Sequence, residues 1–403
     1  MATLKKRKWA GADGKERSAW RVDFTDSNGI RKRRQFAKKE DADRFRISVE
    51  GAIQAGTFRA SADRVTVKEV AEAYLSDLDS RLARGEITRR HKEMVEGRVW
   101  NYIAPDVERR AKQKRGSRRA QPFSDGIGGV KLSQLTPPTV KRFAGKLRDA
   151  GVSVPTTRKI VGTLHAILEY AVSENLVAVN AARRVRIKGR RDEGSKKVVA
   201  PSKDAVRRVI EVADADFQVE LIFAAATGVR AGELHALRWR HVDLDKAEVT
   251  IETRVDSHHD EDAPKSKAGY RRIPIGADVV KRLREWKVRS KFSKPSDLIF
   301  PNGRGKFKPH SRLLQDQFYP CFAKLAERHE ADPVNNPPAP ARFNWHSLRH
   351  FAVSCWIEAG MAPKAVQTFA GHSTLAMTMS TYGHLFPSDD HGRAMDAIAK
   401  ELF

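Results

Sequence analysis

The chain has 403 residues and carries 76 Lys and Arg against 50 Asp and Glu, a formal net charge of +26, with a sequence pI near 10.2. That length exceeds one ordinary core, so two or three domains are expected, and the positive excess points to a polyanionic partner bound through release of condensed counterions. Two cysteines, Cys321 and Cys355, exclude a disulfide framework; no apolar run approaches the roughly twenty residues that span a bilayer, and the basic first nine residues lack the apolar core of a secretory signal, so no membrane partner and a reducing cytoplasm are expected.

The N-terminal sixty or so residues read as a small β-rich module. Residues 20–24 alternate apolar with polar side chains, Asp26-Ser27-Asn28-Gly29 supplies turn chemistry, and residues 30–36 form a second, arginine-laden strand. Residues 38–52 follow as a helix with Ala42, Phe45 and Val49 on one face. Arg21, Arg31, Arg33 and Arg34, placed on a sheet edge beside that helix, suit a groove-reading surface, and Lys5-Lys6-Arg7-Lys8 suits a DNA-binding arm or a nuclear address.

After a break at residues 56–64, a mainly helical unit runs to about residue 191. Val67, Val70, Ala71, Tyr74 and Leu75 mark its first helix; Val140, Phe143 and Leu147, then Ile160, Leu164, Ile167 and Leu168, mark later ones. Pro137, Pro138 and Pro155 sit near helix starts, where a missing amide hydrogen costs little. The polar, basic stretch at 109–129 reads as a mobile loop that phosphate would order. Residues 183–197 read as a basic interdomain linker lying along nucleic acid. Beyond it Pro201-Ser202-Lys203-Asp204 opens a helix, strands are expected at 247–254 and 270–275, and the remainder is mostly helical.

Several residues in this last part carry chemistry. Arg230 follows an apolar stretch and the turn residue Gly228, with Glu233 one helical turn later; a guanidinium so placed can fork onto two phosphate oxygens. Taken alone, such a pair is usually a surface ion pair. His346 and Arg349 lie three apart at the start of a helix whose apolar face continues through Leu348, Phe351, Ala352 and Cys355, so both can meet one phosphate. His372, after Gly371, is expected to begin the next helix, although a lone histidine there is more often a cap. Tyr382 sits in a segment with no heavy apolar stripe and is expected to be free to reach a phosphate, whereas Tyr270, within the hairpin strand, and Tyr319, beside Phe318, read as structural.

In order and spacing these residues resemble the tyrosine recombinase family, the integrases of phages and mobile elements, which show a Thr-Gly-x-Arg-x-x-Glu box, a β-hairpin lysine, a His-x-x-Arg box, a Gly-His and a late tyrosine. The matches are Thr227-Gly228-Val229-Arg230-Ala231-Gly232-Glu233, Lys265 or Lys267 in the 264–269 segment, His346 with Arg349, His372, and Tyr382. Lys267, ahead of Ala268-Gly269 and the Arg272-Ile273-Pro274 strand, fits the pattern better than Lys265. One departure is Ala370, where the family commonly has leucine before Gly-His.

The resemblance implies a mainly α fold with small β-sheets. It also implies a β-rich arm-binding module at 1–62, a helical core-binding domain at 63–190 and a mixed α/β catalytic domain at 191–403. It assigns Tyr382 as nucleophile, Arg230, Arg349, His346 and His372 to the phosphate, Lys267 to the leaving 5′ oxygen and Glu233 to a supporting role. It further implies double-stranded attachment sites, a homotetramer passing through a Holliday junction, accessory directionality or DNA-bending proteins, and neither metal nor other cofactor. The rival readings are a type IB topoisomerase, against which the N-terminal module and the length argue, and a non-catalytic DNA-binding protein, against which the intact residue set argues. The apolar residues Leu385, Phe386, Met395, Ile398, Ala399, Leu402 and Phe403 recur at helical spacing and would pack in trans on a neighbour or cap their own domain.

Overall fold

The computed structural model describes residues 2–10, 16–25, 29–106, 123–189, 199–264, 266–386 and 391–402. The chain forms two compact units, Met1–Ser195 and Lys196–Phe403, and is mainly helical with small sheets. Residues 26–28 of the expected turn, most of the basic insertion, residues 190–197 of the linker, Lys265 and Phe403 lie outside the described residues.

The first unit begins with β1 (Thr3–Ala10), β2 (Glu16–Thr25) and β3 (Arg31–Phe36), antiparallel in the order β1-β2-β3. Strand alternation puts Trp20, Val22 and Phe24 on one face, where they meet Leu4, Phe36 and the Ala42, Phe45 and Val49 stripe of α1 (Lys39–Gln54). β1 is a strand that the sequence hid: its basic run reads as a tail, yet all eight residues pair with β2. Lysine is a poor strand former but tolerable on an edge, with its charge outward. Two corrections follow for the arginines. β2 is the central strand, so Arg21 is not at an edge, and its Nε donates to Asp23 at 2.9 Å. Arg34 is committed within the unit, donating to Asp63 at 2.6 Å with its guanidinium over the Phe45 ring at 4.8 Å. Arg31 and Arg33 remain exposed on edge strand β3.

The helical part holds α2 (Val67–Ala83), α3 (Arg89–Arg98), α4 (Pro137–Asp149) and α5 (Val154–Ser173). Each starts on a side-chain cap, Thr66, Thr88, Thr136 or Ser153, which accepts from a backbone amide that the helix leaves unpaired. The apolar positions expected from periodicity do face one core, with Leu78, Phe143, Leu147, Ile160, Leu164 and Ile167 almost fully buried. Leu164→Ala should therefore destabilise by about 3 kcal/mol through lost transfer energy and a residual cavity, whereas Val179→Ala, at a 66 % exposed position, should stay within about 0.5 kcal/mol. Chemical denaturation of the two variants checks this.

The second unit opens with α6 (Lys203–Val212), capped by Ser202, and α7 (Ala215–Thr227), which ends on Gly228 in the left-handed region at φ 58°. A Cβ at Gly228 would sit 3.0 Å from Ala352 Cβ, so both the backbone conformation and the space require glycine. Next come α8 (Ala231–Ala236), β4 (Val242–Asp243), β5 (Glu248–Ile251), β6 (Arg254–Val255), β7 (Glu261–Asp262) and β8 (Arg271–Pro274). β4, β5 and β8 form one antiparallel sheet and β6 and β7 a second, so the strand expected at 247–254 is split between two sheets.

The chain continues through α9 (Ala277–Arg289), α10 (Tyr319–Ala331), α11 (His346–Glu358), α12 (Pro363–Ala370), α13 (Leu375–Tyr382) and α14 (His391–Leu402). One core gathers Phe217, Leu221, Phe223, Val249, Ile273, Phe318 and Trp345, and a smaller one joins Ala352, Val353, Ile357, Val366, Ala370 and Tyr382. Met395, Ile398 and Leu402 of α14 are exposed. Among the described residues no helix is long and apolar enough to cross a membrane.

Candidate active site

The turn at Gly228 releases the chain from α7 and presents Arg230 as the residue before α8. Its backbone amide donates to Glu233 Oε2 at 2.9 Å, Nη1 to Glu233 Oε1 at 2.8 Å and Nη2 to the Gly371 carbonyl at 2.9 Å. The expected pair between Arg230 and Glu233 is thus one edge of a larger array. Glu233 is buried and also receives Arg271 from β8, Nη2 to Oε2 at 2.7 Å and Nη1 to Oε1 at 3.2 Å. Burial alone would push the Glu233 carboxyl up; Arg271 and Arg230 overcome that and hold it at about 2.

Arg271 was not singled out by sequence, yet it ties three segments together. Beyond Glu233, its Nε donates to the Phe369 carbonyl at 2.8 Å and its Nη1 to the Gly269 carbonyl at 2.9 Å. The burial alternation of β8, with Arg271 and Ile273 inward and Arg272 and Pro274 outward, is the signal that could have found it. Gly371 makes room for it: at φ 63°, a Cβ there would lie 3.0 Å from Arg271 Nη1 and from the Ala268 carbonyl.

Arg349, on α11, is buried and donates from Nη1 to the Gly228 carbonyl at 2.8 Å and from Nη2 to the Ala370 carbonyl. Burial, then the charges of Arg230 and Arg271, pull it down to about 9, which still leaves it charged at neutral pH. His346 begins α11 as expected and meets His350 edge to face, ring centroids 4.8 Å apart. Burial and then its neighbours His350, Arg349 and Arg230 lower its pKa to about 4.

His372 does not begin a helix: Gly371 terminates α12, and α13 starts only at Leu375 after the cap Thr374. The residue is instead locked in the turn. Its amide donates to the Gln367 carbonyl at 3.1 Å, its carbonyl accepts from Gln367 Nε2 at 3.1 Å, and its ring Nδ1 hydrogen-bonds Thr378 Oγ1 at 2.9 Å. Burial and then the charges of Arg349, Arg230 and Arg271 put it at about 4. Both imidazoles are therefore neutral at neutral pH.

Tyr382, expected to be free, is 2 % exposed and closes α13 inside the smaller core. Packing of α13 buries a residue that its neighbours in sequence left looking exposed. Its ring stacks on that of His372, with centroids 6.2 Å apart and planes 14° apart, and its hydroxyl hydrogen-bonds His350 Nδ1 at 2.5 Å. Burial raises the hydroxyl pKa, and Arg349 partly opposes that. His350 is the second residue that the sequence reading left without a role; its position four after His346 on the same helix face was the available signal.

Lys267 stands exposed in a short helical turn, Lys267–Gly269, and is not brought into the cluster itself; the last residue of that turn is, the Gly269 carbonyl accepting from Arg271. Lys265 is outside the described residues. Of the rival tyrosines, Tyr270 is 54 % exposed and precedes β8, so it is neither in the strand nor packed as a structural residue. Tyr319 lies under the Arg342 guanidinium at 3.5 Å. The structure thus brings together Arg230, Glu233, Arg349, His346, His372 and Tyr382, and adds Arg271 and His350. Two guanidiniums on one carboxylate, with the unpaired charge of Arg349 acting on the tyrosyl hydroxyl, leave a surplus of positive charge, an arrangement suited to holding an anion.

Residues 196–388 match the model of the phage integrase family. The chain is 25 % identical over 286 residues to a XerC-like tyrosine recombinase of Caldanaerobacter subterraneus subsp. tengcongensis, covering 64 % of this chain and 70 % of that relative. It is 24 % identical over 264 residues to the ICEBs1 integrase of Bacillus subtilis, covering 64 % and 69 %. In three dimensions it is similar to the Tn1549 transposon integrase in complex with transposon right end DNA, with a TM-score of 0.59 at 18 % identity, covering 83 % of this chain and 100 % of that one. A lambda integrase dimer bound to a core site gives a TM-score of 0.52 at 16 % identity, covering 93 % of each chain. These two likenesses are of fold.

Proposed function

We propose, for a chain that belongs to the phage integrase family and is a tyrosine-type site-specific recombinase, that Tyr382 attacks a DNA phosphodiester from a pocket of guanidiniums and imidazoles, integrating or excising a mobile element. The observation that carries the residue assignment is the surplus of cations at the site: Arg230 and Arg271 both bind the single carboxylate of Glu233, while Arg349, held by backbone carbonyls, acts electrostatically on Tyr382. A phosphate entering there supplies the missing negative charge.

Each residue then has a physical task. Arg230, whose side chain is 40 % exposed, and Arg349 hold the non-bridging oxygens and stabilise the charge that builds as phosphorus becomes five-coordinate. His346 and His372 donate to the same oxygens. Lys267 gives a proton to the departing 5′ oxygen. Glu233, with Arg271 behind it, fixes the direction of Arg230. The product is a 3′-phosphotyrosyl bond that keeps the energy of the phosphodiester, so another 5′ hydroxyl can reseal it. Arg230→Lys should slow cleavage by about 100-fold, since an ammonium cannot keep both the fork to Glu233 and a fork to phosphate; single-turnover cleavage of a nicked site measures it.

The DNA partner is double-stranded, and the protein works as a tetramer on two duplexes, with accessory directionality or bending proteins, in a nucleoid-associated place in the cytoplasm. The division into an arm-binding module at 1–62, a core-binding domain at 63–190 and a catalytic domain at 191–403 is part of the same proposal. The separate apolar clusters around Val22 and around Leu164 support its first boundary. The exposed Arg31 and Arg33 are the module's candidates for phosphate.

The test is covalent trapping with fragments of element and host DNA, denaturation, nuclease digestion and peptide mass spectrometry. A nucleotide adduct on the peptide containing Tyr382, with linked fragments sharing one inverted-repeat core, is the expected result. An adduct on Tyr270 or Tyr319 would remove Tyr382 from the mechanism, and uniform absence of adducts across element-end DNA would count against catalysis.

A further inference from the structure

The geometry points to His350 as a catalytic residue of strand cleavage: its Nδ1 accepts the Tyr382 hydroxyl proton as the tyrosyl oxygen bonds to phosphorus. This rests on Tyr382 being the nucleophile, as proposed above. Two imidazoles, His350 and His372, contact that tyrosine and a third, His346, stands behind His350; the structure distinguishes them. His350 Nδ1 stands 2.5 Å from the hydroxyl oxygen. His372 lies flat against the tyrosine ring, a stacking geometry, and its own Nδ1 is engaged with Thr378. His346 meets His350 edge to face rather than the tyrosine. Only one of the three therefore presents a ring nitrogen to the reacting oxygen.

The surroundings suit a base. Burial, and then the neighbouring Arg349 charge, push the His350 pKa down, which favours the neutral ring, and in the tautomer with its proton on Nε2 the Nδ1 lone pair faces the hydroxyl. The same Arg349 favours negative charge on the tyrosyl oxygen. A phenol with a pKa near 10 attacks at neutral pH when its proton leaves during bond formation. The step balances: the bond from Tyr382 Oη to phosphorus forms, the bond from phosphorus to the 5′ oxygen breaks, the phenolic proton passes to His350 and the leaving oxygen takes one from Lys267. Religation runs these transfers backwards, and His350 returns the proton to Tyr382. His346 and His372 are left to donate to the non-bridging oxygens.

Two measurements test it. The first compares His350→Asn with wild type in single-turnover cleavage of the site duplex recovered by trapping, made with an ordinary or a 5′-bridging phosphorothiolate scissile linkage. Asparagine keeps a hydrogen-bond acceptor near the Nδ1 position but no basic one. Adduct formation should fall about 100-fold or more at unchanged DNA affinity, and the deficit should persist on the sulfur substrate, where the deficit of Lys267→Ala should be relieved because thiolate needs no proton to leave. Wild-type rates in His350→Asn, or relief by sulfur, would overturn the assignment. Because wild type and Tyr382→Phe are run alongside, failure of the nucleophile assignment appears separately, as an adduct that survives Tyr382→Phe. The second is 15N NMR of histidine-labelled wild type, with His350 identified by its loss in His350→Asn or, should that variant not fold, by its shift in Tyr382→Phe. An unprotonated Nδ1 is expected; a protonated one would make His350 a donor and overturn the proposal.

Discussion

Tyr382→Phe should abolish the covalent protein–DNA adduct and lower strand cleavage by about 10⁴-fold or more, the scale on which loss of an enzyme nucleophile is felt. DNA affinity should barely change, because Arg230 and Arg349 and the basic surface remain to bind phosphates. The fold should survive as well. The tyrosine ring is part of a small core with Val353, Ile357 and Val366 and stacks on His372, and phenylalanine keeps both contacts. What is lost is the hydrogen bond to His350, whose Nδ1 is then left without a donor at a cost of about 1–3 kcal/mol. Cleavage kinetics, filter binding and thermal melting, measured together, separate these effects. Tyr270→Phe is the control: that side chain is 54 % exposed, and its change should leave cleavage unaltered. Equal loss in both variants would indicate that the site does not act through Tyr382.

The second large effect is expected at Arg271. Arg271→Met leaves the buried Glu233 carboxylate with Arg230 as its remaining guanidinium partner, and removing one partner of a buried ion pair costs about 3–5 kcal/mol. For a unit of this size, that is about 10 °C in melting temperature. Activity should fall further than stability explains, because the Gly269, Phe369 and Glu233 contacts that fix Lys267, His372 and Arg230 all lose a common anchor. Combining Arg271→Met with Glu233→Gln should cost less than the sum of the two, since the stranded charge is removed as well.

The acid limb of stability carries the same signature. The Glu233 carboxyl lies at about 2 in the folded protein against an ordinary 4.5, so its contribution, about 3 kcal/mol, is complete above pH 4.5 and is lost as pH falls towards 2. Glu233→Gln should flatten that part of the curve in denaturation measured across pH 2–5. An unchanged curve would show that Glu233 does not titrate as the array requires.

Much of the architecture was legible from local pattern. The helix starts near Pro137, Pro155 and Ser202 and the apolar stripes of α2, α4 and α5 follow from periodicity and helix-start chemistry, which act within a few residues. β1 escapes pattern reading because its Lys-rich run, exposed but for Leu4, has no apolar alternation, and only pairing with β2 makes it a strand. At the site, neither the burial of Tyr382 nor the turn position of His372 follows from local pattern, and local pattern alone assigns no role to Arg271 or His350.

By itself the sequence determined which chemical groups this protein owns and the order in which they occur: the Arg230 and Glu233 box, His346 with Arg349, His372, Tyr382, and a net charge that demands a polyanion. It also determined contacts along a single helix or strand, where spacing alone sets distance. Tertiary structure decided which of these groups touch. Arg230 reaches Gly371 across 141 positions, Arg271 reaches Glu233 across 38, and His350 reaches the Tyr382 hydroxyl across 32. Contacts at such separations depend on how α8, β8, α11 and α13 pack, and packing answers to the shape of the whole core, not to the identity of neighbours in the chain.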